Sequence, residues 1–140
     1  MNDSCFICQK HLGLVAPPPG GYLYQDDDWL VCHAPATMGA LGTLIVESRR
    51  HVLDFATMTD AEVAGYGLLL RRLYRALKET TTAERVYTVV LLEGVAHFHT
   101  WLVPRLSDST ERGVALLASN ASCDEAEAVA LVGRLRVLLG

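Results

Sequence analysis

One long helical period set between two groups of β-prone runs constrains this chain more than any other feature. Val63, Tyr66, Leu70, Leu73 and Leu77 recur at three and four residues, with Leu69 and Tyr74 widening the stripe, the pattern of a helix that buries one face. Thr59 followed by Glu62 marks its start as a capping box, and Thr80-Thr81-Thr82 marks its end. Before the helix, Tyr22-Leu23-Tyr24 and Trp29-Leu30-Val31-Cys32 flank Gln25-Asp26-Asp27-Asp28 and read as a hairpin. Three consecutive acids in such a loop are ordinarily just solvated. Gly42-Thr43-Leu44-Ile45-Val46 reads as a third strand that delivers His51 past its end. After the helix, residues 85–92 and 96–103 flank Glu93-Gly94-Val95 and read as adjacent antiparallel strands, the second closed by Pro104. Residues 107–121 are polar and irregular, and residues 124–139 carry Ala128, Leu131, Leu135 and Leu138 on one helical stripe. The expected fold is α+β: an antiparallel sheet with a long helix packed on it and a C-terminal helix.

A chain of 140 residues is the length of one domain, expected over 1–140. With 51% apolar and 20% charged residues it is no disordered chain. Sixteen acidic residues against twelve Lys and Arg leave a formal charge of −4. That disfavours a nucleic-acid partner, but leaves room for a local nucleotide pocket. Met1-Asn2-Asp3-Ser4-Cys5 lacks the basic start and apolar stretch of a secretory signal, and no apolar run approaches the roughly 20 residues of a membrane helix. A cytoplasmic protein with no membrane partner is expected. Residues 16–21, Ala-Pro-Pro-Pro-Gly-Gly, form a connector that excludes helix.

Chemistry concentrates in two places. On a strand, alternate side chains share a face, so His97, His99, Trp101 and Val103 would point one way and Phe98, Thr100 and Leu102 the other. Two imidazoles on one surface suit metal binding, division of acid–base labour, or plain surface polarity. Cys5-Phe6-Ile7-Cys8 has the spacing of a knuckle offering two thiolates to a tetrahedral zinc ion, with His51 and His97 as natural further ligands and His11 as a substitute. A redox pair, which wants a βαβ context and a helix N-terminus after the motif, and two plain buried thiols are the rival readings. Cys32 and Cys123 read as ordinary thiols.

Val95-Ala96-His97-Phe98-His99-Thr100-Trp101-Leu102-Val103-Pro104-Arg105 resembles the signature strand of the histidine-triad family, His-φ-His-φ-His-φ-φ, often followed by Pro-Arg. The segment from Gly42 through Leu44-Ile45-Val46 to His51 resembles that family's Gly-His-Leu-Val-Ile-Pro-Lys-x-His, and Cys5-Phe6-Ile7-Cys8 resembles the zinc knuckle of its bacterial branches. The likeness covers most of residues 5–105, and leaves 106–140 as an irregular segment plus the last helix. It implies a homodimer that binds nucleotides and cleaves a bond at the α-phosphate of nucleoside phosphoramidates or dinucleoside polyphosphates, by hydrolysis or nucleotidyl transfer. The nucleophile would be His99, through a covalent nucleotidyl-imidazole. The resemblance also implies structural zinc on Cys5, Cys8, His51 and His97; Gly94, Trp101 and His33 are the candidate substrate contacts, with Trp101 read first as a half-buried aromatic that closes the pocket or packs at a dimer contact. Three positions depart from the family pattern. Trp101 stands where the third histidine would be, and offers one N–H donor but no proton shuttle. Glu93-Gly94-Val95 replaces a Gly-Gln-Ser type phosphate loop, and Cys32-His33-Ala34-Pro35 lacks the acid that meets the ribose. The alternative implied is a zinc-stapled nucleotide-binding module with lost or reduced catalysis.

Overall fold

The computed structural model describes residues 4–140; the Met1-Asn2-Asp3 start lies outside them. Helix α1 (Phe6–His11) is followed by strands β1 (Tyr24–Gln25), β2 (Trp29–His33) and β3 (Leu44–Ser48), then helix α2 (Asp60–Thr80). Strands β4 (Ala83–Val89) and β5 (His99–Leu106) come next, then the short helix α3 (Val114–Leu117) and helix α4 (Glu125–Leu139). The five strands form one antiparallel sheet in the order β1-β2-β3-β5-β4. The α+β class, the single sheet and both long helices stand as expected.

Alternation along β3 and β5 divides the sheet into two chemically different faces. Leu44, Val46 and Leu102 face α2 and join Tyr66, Leu69, Leu73 and Leu77 in the main core, which α4 completes with Leu131, Val132, Leu135 and Leu139. On the opposite face Ile45 lies across from Trp101 and Glu47 across from His99. The helix stripe is rotated slightly from the expected one: Val63 is exposed and Ala76 takes its share of the buried face. The capping box forms as read, Glu62 N–H donating to Thr59 Oγ1 and Thr59 N–H to Glu62 Oε1. Arg50 clamps the same carboxylate through two nitrogens at 2.7 and 3.0 Å, tying the end of β3 to the start of α2.

All five strands differ from expectation by one to three residues: β1 to β4 are expected over 22–24, 29–32, 42–46 and 85–92, and β5 shifts furthest. The strand read over 96–103 begins at His99 and runs through Pro104 to Leu106. Phe98 leaves the ladder because its N–H donates to Val52 O instead. Pro104 does not close the strand because β5 has by then run past its last β3 partner, Leu102, and a residue without an N–H is tolerated with a neighbour on one side only. Within residues 107–121, read as irregular, α3 forms a single turn of helix. Among the described residues no helix is long and apolar enough to cross a membrane.

The acidic loop earns its place by hydrogen bonding. Asp26 Oδ1 accepts from the N–H groups of Asp28 and Trp29, and Oδ2 from the Tyr24 hydroxyl, an Asx turn that closes the β1–β2 hairpin. Partial burial pushes this carboxyl up, but those donors outweigh it and hold the group below the usual aspartate range. Asp26→Ala is expected to cost about 1–2 kcal/mol at neutral pH, measured by urea unfolding. Because the folded pKa is depressed, the carboxylate's contribution is present above the ordinary value of about 3.9 and is lost as pH falls through the folded value. The gap between parent and variant should therefore shrink in acid.

Candidate functional site

Cys5 caps α1, its sulfur accepting from Cys8 N–H at 3.4 Å, so one turn of helix sets both thiols on the same side. The helix thus starts at the first cysteine of the pair and not after the second, and the five-stranded antiparallel sheet holds no βαβ unit. His51 and His97 come to the pair from the far side. His97 Nδ1 lies 3.4 Å from Cys5 Sγ, 3.5 Å from Cys8 Sγ and 3.2 Å from His51 Nδ1, and His51 Nδ1 lies 3.5 Å from Cys8 Sγ. All four ligand atoms fall within 4.8 Å of one another. An ion bound tetrahedrally at roughly 2.0 Å to nitrogen and 2.3 Å to sulfur would set these edges at about 3.3–3.8 Å. The spacing fits such an ion.

The outer contacts fit as well. His97 Nε2–H donates to Ser48 O at 2.7 Å, which leaves Nδ1 as the ligand nitrogen. Burial, chiefly, pulls the His97 pKa down and keeps the ring neutral, as a ligand must be. The redox reading of the Cys pair has no comparable support, since each thiol faces an imidazole. His11 is not a ligand: its Nε2 lies 2.9 Å from Glu47 Oε1.

His97 and His99 stand side by side, though not as alternate residues of one strand. His97 precedes β5 and points to the cysteines. His99 opens β5, and its Nδ1–H donates to His97 O at 2.7 Å. The tautomer this bond selects leaves the Nε2 lone pair free. His99 lines a cavity of about 830 Å³, with Trp101, Glu47, Lys10, Ile45 and Val95 among its walls. The connector supplies Val15 to Pro19, and the approach to α4 supplies Cys123, Asp124 and Glu125.

Beneath His99 lies a polar cluster that the sequence reading missed. Glu47, 1% exposed, accepts from His11 and Tyr22 at Oε1 and from Lys10 and Cys32 at Oε2. Burial raises its carboxyl, but these donors outweigh burial and hold it below the usual range. Burial likewise pulls the Lys10 ammonium down, and the partners that accept from it more than restore it. Cys32 is pushed up to about 12, mainly by burial, and remains a thiol. The signal available in sequence was an acid directly following Leu44-Ile45-Val46, in step with Ile45 on the cavity face.

No protein-family model and no curated protein matches the sequence. Solved structures do. A Zn-bound histidine triad family protein from Mycobacterium smegmatis aligns over 97% of this chain and 95% of its own, with TM-score 0.74 and 22% identity. A hypothetical histidine triad nucleotide-binding protein from Sulfolobus tokodaii aligns over 96% and 91%, with TM-score 0.75 and 11% identity. A Hit-like protein involved in cell-cycle regulation from Bartonella henselae aligns over 98% and 97%, with TM-score 0.74 and 11% identity.

The fold is the histidine-triad fold. Within that fold, the chain brings together Cys5, Cys8, His51 and His97 as one cluster, and His99 and Trp101 as walls of one cavity. Gly94 sits in an exposed turn outside the cavity, where Val95 forms the wall instead. His33 is fully buried: Nδ1–H donates to Ala34 O and Nε2 accepts from Gly42 N–H, so the ring joins β2 to the entry of β3 and does not line the cavity. Gly42 holds a positive φ of 94° there, which suits glycine.

The cluster predicts close to one tightly held metal ion per chain in purified protein, and none in a Cys5→Ser, Cys8→Ser variant, by elemental analysis. Equal metal in both would remove the two thiols from the coordination set.

Proposed function

We propose that this protein binds a nucleotide conjugate in the cavity beside His99 and cleaves it at the α-phosphorus, as a hydrolase or nucleotidyltransferase of histidine-triad type. The observation that carries this reading is the His99 ring: its Nδ1–H is held by the His97 carbonyl, which makes Nε2 the lone-pair nitrogen, and the residue lines the cavity. Attack by that Nε2 lone pair would form a P–N bond to the ring as the bond to the leaving group breaks. The His97 carbonyl, accepting from Nδ1–H, stabilises the positive charge that the ring acquires, and water or an acceptor then takes the nucleotidyl group from Nε2. Zinc is the metal proposed for Cys5, Cys8, His51 and His97. Two thiolates and two imidazoles suit it, and four protein ligands leave no open position for substrate, so its role is structural. All four cysteines are free, in keeping with a reducing, cytoplasmic setting. The reading takes residues 1–140 as one domain and the protein as a homodimer.

Trp101 favours a second reading, nucleotide binding with little turnover. It lies two residues past His99 on the same face and lines the same cavity, yet its indole N–H is no acid for a departing amine. The leaving group must then take its proton from water.

Two outcomes test these readings. His99→Ala should abolish turnover of a fluorogenic nucleoside phosphoramidate and accumulation of the nucleotidyl adduct seen by mass spectrometry; turnover equal to the parent's would exclude His99 as nucleophile. Trp101→His should raise turnover by roughly 10²-fold or more, the usual worth of a positioned acid. No gain would show that something besides the missing imidazole limits the chemistry.

A further inference from the structure

We infer that this cavity selects a substrate carrying one phosphoryl charge and an apolar or cationic leaving group, over a dinucleoside polyphosphate, and that Lys10 is the residue meeting the phosphoryl oxygens. The inference rests on the reading of His99 just proposed and goes on to name the substrate class.

The charged groups around the cavity are few. Among the described residues Lys10 is the one Lys or Arg that lines it, against the carboxylates of Glu47, Asp124 and Glu125; the remaining walls are mostly hydrocarbon. Glu47 is no ligand for substrate, because its two oxygens already accept from four donors. Its effect is to hold Lys10 in place. The ammonium has three donors, and Glu47 and Cys32 take two of them. Lys10 lines the cavity although its side chain is only 9% exposed, so the third donor would serve a ligand there.

Glu47 is the direct cross-strand partner of His99 on the cavity face, so their Cβ atoms stand about 5 Å apart. The Lys10 ammonium that Glu47 grips therefore lies one side chain away from the His99 ring. A phosphoryl group within reach of His99 thus finds one ammonium donor, in a chain that lacks both the Gly-Gln-Ser type loop and the third histidine of the pattern it resembles. Each further phosphate would extend towards carboxylates with no second cation to meet it. Asp124 and Glu125 are exposed at the start of α4, and Asp124 makes no side-chain capping bond. A polyphosphate chain brings several negative charges to this acidic rim, whereas a phosphoramidate brings one and ends in an amine or an apolar group that such a rim accepts.

The test is calorimetric binding of adenosine, a nucleoside 5′-phosphoramidate and diadenosine tetraphosphate to the full chain in a His99→Ala background, which consumes none of them. The phosphoramidate should bind at least tenfold more tightly than the tetraphosphate. Adding Lys10→Met should weaken the phosphoramidate by roughly 10- to 100-fold, as for loss of a hydrogen bond to a charged group, and leave adenosine unchanged. Because that change orphans Glu47, Lys10→Met with Glu47→Gln, which removes the unpaired buried charge while keeping an oxygen for His11 and Tyr22, should repeat the result. Adding Asp124→Asn with Glu125→Gln instead should bring the tetraphosphate at least fivefold nearer to the phosphoramidate.

Equal binding of the two conjugates, or loss of adenosine along with the phosphoramidate in the Lys10 variants, overturns the inference while leaving the nucleotide reading intact. A rim variant that lowers thermal stability with the affinity ratio unchanged would show that Asp124 and Glu125 merely complement the α4 dipole, and also overturns it. Failure of all three ligands to bind overturns the nucleotide reading itself.

Discussion

The His97 side chain is the junction on which both halves of the site depend. Its Nε2–H reaches the Ser48 carbonyl at the end of β3, and its Nδ1 faces two sulfurs 89 and 92 positions earlier in the chain and the ring of His51. Its own carbonyl accepts the His99 N–H. The metal-binding cluster and the proposed nucleophile are thus coupled through one residue: whatever anchors His97 also fixes which nitrogen of His99 keeps its lone pair. The same anchor extends to α1. Cys5 and Cys8 hold that helix against the sheet, and two residues past Cys8 it delivers Lys10 to the cavity. A six-residue helix has little stability of its own. Packing of its two sulfurs against His51 and His97, and the Lys10 and His11 contacts to Glu47, are the physical reason why a charged side chain on it can have a defined position.

The parts of this architecture readable in sequence were those governed by neighbours along the chain. The change from a period of two to one of 3.6 and the Thr59–Glu62 box each involve residues at most a few positions apart, and each appears as read. The hairpin loop also forms, but its Asp26 is a hydrogen-bonded turn residue and not a merely solvated acid. The four-member Cys and His cluster was also legible, because ligand chemistry leaves few residue types to choose from. Long-range competition hid the rest. Alternation alone put His97 and His99 on one strand, but Phe98 N–H finds Val52 O, 46 residues back, and His97 is turned out of the ladder before the strand begins. His33 was placed near substrate by its position after β2, and nothing local reveals that Gly42 occupies its second nitrogen.

Glu47 shows most clearly why a site can be invisible in one dimension. A carboxylate that is 1% exposed is costly unless every lone pair is met. Here the donors come from α1, the connector and β2, at separations of 15 to 37 residues. None of them is recognisable as a partner until the sheet closes. Removing any one leaves a buried acceptor unmatched, so the cluster acts as a unit, and its rigidity holds the Lys10 ammonium on the cavity wall beside the His99 strand. His11 belongs to the same unit: the ring read as a spare metal ligand serves the carboxylate instead.

The two faces of β3 and β5 explain how such a cavity can differ from its structural relatives while the fold persists. Leu44, Val46 and Leu102 pack on α2 and need only be apolar and of suitable size, a demand that many sequences meet. Ile45, Glu47, His99 and Trp101 project from the other face, where a substitution changes what the cavity recognises without disturbing the helix layer. A TM-score near 0.75 at 11% identity follows from that division. The hydrocarbon face preserves the shape, and the cavity face is free to carry Trp101 and a buried lysine–carboxylate pair. Recognition and proton delivery are therefore separable here: the strand that presents His99 keeps its place whether or not the residue two positions on can donate a proton.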